Sequence, residues 1–81
     1  MNIHVLFFGA CREALNTHEA SLALTAPATV ASAFAALREQ FPTLENFGNS
    51  LLFAVNEEHS RADDPLNDGD TFAIFPPVSG G

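Results

Sequence analysis

Between Thr29 and Pro42 the large apolar residues recur at Val30, Phe34, Leu37 and Phe41, the spacing of one helical face. Thr29 is a good N-cap, because its side-chain oxygen can accept from an orphan N–H of the first turn. Pro42 ends the segment, since it offers no N–H and its ring clashes with a continuing helix. The pattern predicts a helix over Val30 to Phe41 with Arg38, Glu39 and Gln40 facing water. A Phe and Leu stripe at this spacing is core, and it receives no cofactor role. In an 81-residue chain one such helix needs a sheet on which to bury its stripe.

The flanking sequence supplies the sheet. Ile3 to Phe8 is rich in β-branched and aromatic residues and is apolar on both faces, as expected of a central strand. Gly9 ends it, and Ala10 to Leu15 can form a short helix with Asn16 as its stop. Glu19 to Leu24 alternates weakly and reads as a second strand, and Ala26-Pro27-Ala28 as a connector. Thr43 to Ser50 is expected to be a loop with one turn. Leu51 to Asn56 is a third strand, His59-Ser60 a short edge strand, and Arg61 to Leu66 irregular. Asn67-Asp68-Gly69-Asp70 is a tight-turn signal that feeds the last strand, Thr71 to Phe75. A hairpin, a helix and returning strands give an α+β fold of two layers, a mixed sheet of about five strands with one main helix on one face. The last strand is apolar on both faces and belongs beside the first. Phe8 or Leu6 would then share with Phe75 the face away from the helix, where nothing in so short a chain can cover them. Exposed Phe there would mark a contact patch.

The totals exclude several classes of function. Ten acids stand against three arginines and no lysine, a net charge of −7, so the basic face that phosphate neutralisation requires is missing and nucleic acid is not expected. An acidic surface suits a basic protein partner. A single cysteine makes no internal disulfide, no apolar run approaches a membrane span, and the start lacks a basic leader. A soluble, cytoplasmic protein is expected. His4, His18, His59 and Cys11 match no zinc spacing, so no metal site is expected. Asp63, Asp64, Asp68 and Asp70 fail as a calcium loop, because Leu66 stands where an oxygen ligand is needed and Pro65 stiffens the loop. Cys11 could relay sulfur as a thiol, but with only Arg12 beside it and no CxxC partner it reads as buried or incidental. With no phosphate loop and no nucleophile–base pair, the chain is not expected to catalyse a reaction alone.

The unusual group is the end. The last strand stops at Pro76 and Pro77, which cannot donate to a ladder and which hold the preceding residues extended. Residues 1–76 are expected to form one domain and 77–81 a flexible tail, reaching at most about 16–18 Å beyond Pro77. Gly80 and Gly81 carry no Cβ, so a narrow channel can close around them. The tail Pro76, Pro77, Val78, Ser79, Gly80 and Gly81 thus presents a slim carboxylate to a partner. That carboxylate is a poor electrophile until adenylated; with AMP as leaving group, a sulfur nucleophile can convert it to a thiocarboxylate.

Phe75-Pro-Pro-Val-Ser-Gly-Gly81 closely resembles the end of the small subunit of molybdopterin synthase, the MoaD family. So do Val5-Leu-Phe-Phe-Gly-Ala-Cys-Arg-Glu-Ala-Leu15, Ala54-Val-Asn-Glu57 and Pro65-Leu-Asn-Asp-Gly-Asp70, in the same order and spacing. Val30 to Ser50 carries no family signature, and the family pattern does not require the absence of lysine. The resemblance implies a ubiquitin-like β-grasp fold. It implies that Gly81 is adenylated by an ATP-dependent enzyme of the MoeB type, receives sulfur from a persulfide donor and becomes a thiocarboxylate. It further implies that the tail enters a large subunit of the MoaE type, in a heterotetramer that builds the dithiolene of molybdopterin from cyclic pyranopterin monophosphate. Interface residues map onto Phe8, Arg12 and Phe75. This chain itself would bind no cofactor; ATP belongs to the activating partner. Three alternatives stand beside this reading: a carrier for thiamine or another sulfur metabolite, as in the ThiS family; a ubiquitin-like modifier of other proteins; and a non-reactive interaction module.

Overall fold

The computed structural model describes residues 1–48 and 50–77. Five strands form the main sheet: β1 (Asn2–Phe7), β2 (Glu19–Ala23), β4 (Leu52–Val55), β5 (Glu58–Ser60) and β7 (Thr71–Phe75). A two-stranded ribbon is made by β3 (Ala28–Thr29) and β6 (Pro65–Leu66), and two α-helices, α1 (Gly9–Leu15) and α2 (Val30–Gln40), pack with these strands. The sheet order is β2-β1-β7-β4-β5, with β1 and β7 parallel and the other pairs antiparallel. The last strand is therefore central and beside the first, as the sequence predicts, and Glu58–Ser60 lies at the sheet edge.

Alternation divides the sheet into two faces. Ile3, Val5 and Phe7 of β1 and Phe72 and Ile74 of β7 point to one side and are buried with Val30, Ala33 and Leu37 of α2. Complete burial of one such large apolar side chain is worth about 1.5–3 kcal/mol. Phe41 closes the upper end of this core, edge-on to Phe7 at 5.4 Å. Among the described residues no helix covers the other face, as expected for a two-layer fold.

The boundaries differ from the sequence reading in ways that backbone hydrogen bonding explains. The first strand ends at Phe7, because Phe8 is already the N-cap of α1, which starts at Gly9 rather than Ala10. Phe41 is the C-cap of α2 and not its last residue. Residues 43–50, expected as a loop, are largely taken up by a 3₁₀ helix, Pro42–Phe47, which buries Leu44. The connector around Ala28 and the irregular stretch 61–66 pair with each other, Ala28 with Leu66 and Thr29 with Pro65. That stretch also accepts two orphan donors of α2: Val30 N–H bonds Asp64 O at 2.9 Å and Ala31 N–H bonds Ala62 O at 2.8 Å. Thr29 and Ser32 complete the N-terminus as a reciprocal capping box.

Candidate functional site at the tail exit

The site is built where β7 ends. Phe8 N–H donates to Ile74 O at 3.0 Å, carrying the β1–β7 ladder one residue past β1. Gly9 then turns with φ +57°, in the left-handed region. A Cβ there would stand 3.2 Å from Pro76 Cγ, so the bare glycine lets Pro76 lie against the start of α1. The chain thus leaves the central strand against a fixed support.

Around that exit the open face is apolar. The Phe8 and Phe75 rings meet edge to face at 6.4 Å, and the His59 ring stands 6.0 Å from Phe75. Leu52 pairs with Phe75 in register. Phe8 is 45% exposed and Leu52 38%, the two exposed large hydrophobic residues among those described. A hollow of about 330 Å³ runs between Leu6, Phe8, Ala54, His59, Ala73 and Phe75. The uncovered pair expected from the sequence is therefore brought together. Leu52 and His59 are added to it, and sequence reasoning missed both. Leu51 to Val55 is apolar at every position, so no alternation shows which of its residues share the face of Phe75; the register Leu52 opposite Phe75 and Ala54 opposite His59 decides it.

Arg12 lies one turn beyond Phe8 on α1 and faces a separate hollow with Glu13, Asn16 and Thr17. Among the described residues the close contacts between basic and acidic side chains are those of His4 and His18 with Glu19, at 3.0 and 3.9 Å, and neither involves an arginine. Cys11 is buried in the core, and burial pushes its thiol above the ordinary value by penalising the thiolate. A thiol so placed is a poor nucleophile and cannot meet a partner's persulfide. Of the predicted tail, Pro76 is half-buried and Pro77 exposed, while Val78, Ser79, Gly80 and Gly81 lie outside the described residues.

The acidic stretch near the C-terminus serves backbone geometry. Asp64 accepts from Arg61 N–H at 2.8 Å, Asp68 from Asn2 N–H at 2.6 Å, and Asp70 from Asn67 N–H at 2.8 Å. Among the described residues no group of three His, Cys, Asp or Glu is placed to hold a metal ion, and no helix is long and apolar enough to cross a membrane.

A mixed five-stranded sheet holding one long helix, with the last strand central and ending at two prolines, is the ubiquitin-like β-grasp architecture. SAMP1 from Haloferax volcanii superposes on the whole chain with a TM-score of 0.90 at 28% identity, each chain fully covered. The model of the ThiS family matches residues 5–81. The molybdopterin synthase sulfur carrier subunit of Escherichia coli is 40% identical over 98% of this chain and 99% of its own length. That of Chlamydomonas reinhardtii is 36% identical with both chains fully covered. The chain belongs to the ThiS family and, within it, to the molybdopterin synthase sulfur carrier subunits.

Proposed function

We propose that this protein is the sulfur carrier of a molybdopterin synthase and that the carboxylate of Gly81 is the group that works. The observation that carries the proposal is the tail exit: a central strand ends beside an uncovered Phe8–Phe75 pair, and Pro76 is braced on Gly9. The chemistry follows from that placement and from the family. A partner of the MoeB type adenylates Gly81 at the expense of ATP. The terminal sulfur of a persulfide donor attacks the acyl-adenylate and AMP leaves; a second thiol then attacks the donor-side sulfur of the resulting acyl disulfide, ending in a disulfide with the donor and leaving Gly81 as a thiocarboxylate. The slim tail then enters a large subunit of the MoaE type, docked on Phe8, Phe75 and Arg12, and delivers sulfur to cyclic pyranopterin monophosphate. Two carriers and two large subunits form the complex. Residues 1–76 act as the handle, and Pro76, Pro77, Val78, Ser79, Gly80 and Gly81 as the delivered arm.

Intact-mass measurement after incubation with the activating enzyme, ATP and a sulfur donor tests this. One oxygen exchanged for sulfur at Gly81 is expected. A chain lacking Gly81 is expected to gain no sulfur yet to unfold at an unchanged temperature, because the buried core, from Ile3 to Ile74, is left whole. Full loading of that shortened chain contradicts the proposal.

A second reading has its own support: SAMP1, which matches this fold at a TM-score of 0.90, is named a small archaeal modifier protein. Modifier and carrier share the activated carboxylate and differ in the acceptor. Covalent adducts of this chain on denaturing gels, dependent on Gly81, would favour the modifier. A thiamine auxotroph rescued in place of a molybdopterin-deficient strain would move the carrier to another sulfur metabolite.

A further inference from the structure

Another concave surface lies on the other side of β4 from the tail exit. Leu52 and Ala54 face the open side, whereas Phe53, between them, points towards α2. There a pocket of about 220 Å³ is bounded by Phe34, Phe53 and Leu51, by the small residues Ala31 and Ala62, and by Arg38. Its wall is aromatic: Phe34 and Phe53 are 5.0 Å apart, and Phe53 rests on buried Phe72 at 5.5 Å. The Arg38 guanidinium is held over the Phe34 ring, 4.9 Å from its centre.

We propose that this pocket is a docking site for a protein segment that places an aromatic side chain beside a single carboxylate. The size and walls select the aromatic group, since an apolar cavity of about 150 Å³ already accepts a benzene ring. Arg38 selects the carboxylate. It is one of three cations in a chain of net charge −7, and no carboxylate among the described residues lies within 4.0 Å of it. Glu39 and Glu45 line the neighbouring hollow on its other flank. Stacking on Phe34 fixes the guanidinium plane, so less side-chain freedom is lost when it forks onto an incoming carboxylate. The overall negative field disfavours a strongly acidic partner. The segment that fits is therefore neutral or basic apart from the one acid that Arg38 reads. Because this pocket and the Phe8–Phe75 patch lie on opposite faces, such a partner can hold the protein while the tail is engaged elsewhere.

The test uses the full chain, labelled with ¹⁵N, and two capped peptides, acetyl-Phe-Asp-amide and acetyl-Phe-Asn-amide, with phenylacetate as the small-molecule control. The Asp peptide is expected to give saturable shifts at the amides of Ala31, Phe34, Arg38, Phe53 and Ala62. The Asn peptide should bind about tenfold more weakly, the loss of one charge-assisted hydrogen bond. Arg38→Gln should weaken the Asp peptide by a similar factor while leaving sulfur loading of Gly81 unchanged. Ala62→Leu, which fills the pocket and keeps the arginine, should abolish the shifts. Equal binding of the two peptides, shifts centred on Phe8 and Phe75, or no saturable shift at all would overturn the proposal. So would phenylacetate binding as tightly as the Asp peptide, which would make this a small-molecule site.

Discussion

The Asn56 side chain accepts from Thr71 N–H at 3.0 Å and donates to Asp70 Oδ1 at 2.9 Å, while its backbone sits at φ +51°. Asp70 in turn accepts from Asn67 N–H, and its carbonyl accepts from His4 N–H. Two of the stretches that carry the family resemblance, Ala54 to Glu57 and Pro65 to Asp70, thus meet in one hydrogen-bonded cluster that ties the β4 hairpin to the start of β7. Their role is structural. Asn56→Ala loses both side-chain bonds and strains the left-handed backbone, and should cost about 2–3 kcal/mol. Asn56→Gly loses the same bonds without the strain and should cost about 1 kcal/mol less. Urea unfolding of the pair separates the two effects; equal losses would mean that the positive φ stores no strain. Cys11 is a second residue whose role is decided by packing. With the folded thiol raised above its ordinary value, the native state keeps a proton that the unfolded chain releases. Any contribution of this group to stability is therefore intact below the ordinary thiol range and falls as pH rises through it. Iodoacetamide should label Cys11 only on unfolding, and Cys11→Ala should still be loaded with sulfur. Rapid labelling of the native chain would restore the thiol relay.

At the level of elements, what could be read in the sequence and what could not divide along chain separation. Helix α2 was legible because its stripe, its Thr29 cap and its Pro42 stop are local and agree with one another. Strand β7 was legible because alternating apolar residues are bounded by Gly69 on one side and two prolines on the other. The β3–β6 ribbon was not. Each strand has two residues, too few for any period, and Pro65 weighs against a strand by propensity. Its formation depends on a partner 36 or more positions away and on the need of Val30 and Ala31 N–H for acceptors, neither of which a local pattern records. The start of α1 at Gly9 was missed for the same reason, since the cap is set by Phe8 joining the β7 ladder. The α2 N-terminus is thereby secured twice, by the Thr29–Ser32 box and by the 61–66 segment. Thr29→Ala removes only the first and should lower stability by about 1 kcal/mol with the helix intact. Circular dichroism melts check this; loss of helical signal below the transition would show that the 61–66 acceptors cannot hold the first turn alone.

At the scale of the whole molecule, the two faces of one sheet differ in burial, one closed by α2 and the other open for the docking proposed above, and the pleat separates them residue by residue. Along β7, Phe72 and Ile74 are fully buried beneath α2, while Thr71, Ala73 and Phe75 line the open face. The site was legible in part because of this alternation: a two-layer fold of this length leaves one face bare, and Phe8 and Phe75 had nowhere to hide. The Arg38 pocket was not legible, because a stripe of Phe and Leu at helical spacing gives no sign that Phe34 is only half-buried. The division of labour predicts that neighbouring phenylalanines fail differently. Phe72→Ala opens the core and should cost about 3–5 kcal/mol of stability. Phe8→Ala removes an exposed ring and should leave stability within about 1 kcal/mol, yet weaken binding of the large subunit by about 2 kcal/mol or more, as truncating an aromatic anchor does. Phe75→Ala should do the same to binding and cost somewhat more stability, because its ring is half-buried against Phe8 and His59. Calorimetric titration with the large subunit, run beside urea unfolding of the same variants, reads both quantities. Unchanged affinity in Phe8→Ala and Phe75→Ala, with the fold intact, would move the docking surface off this face and leave the exposure of Phe8 unexplained.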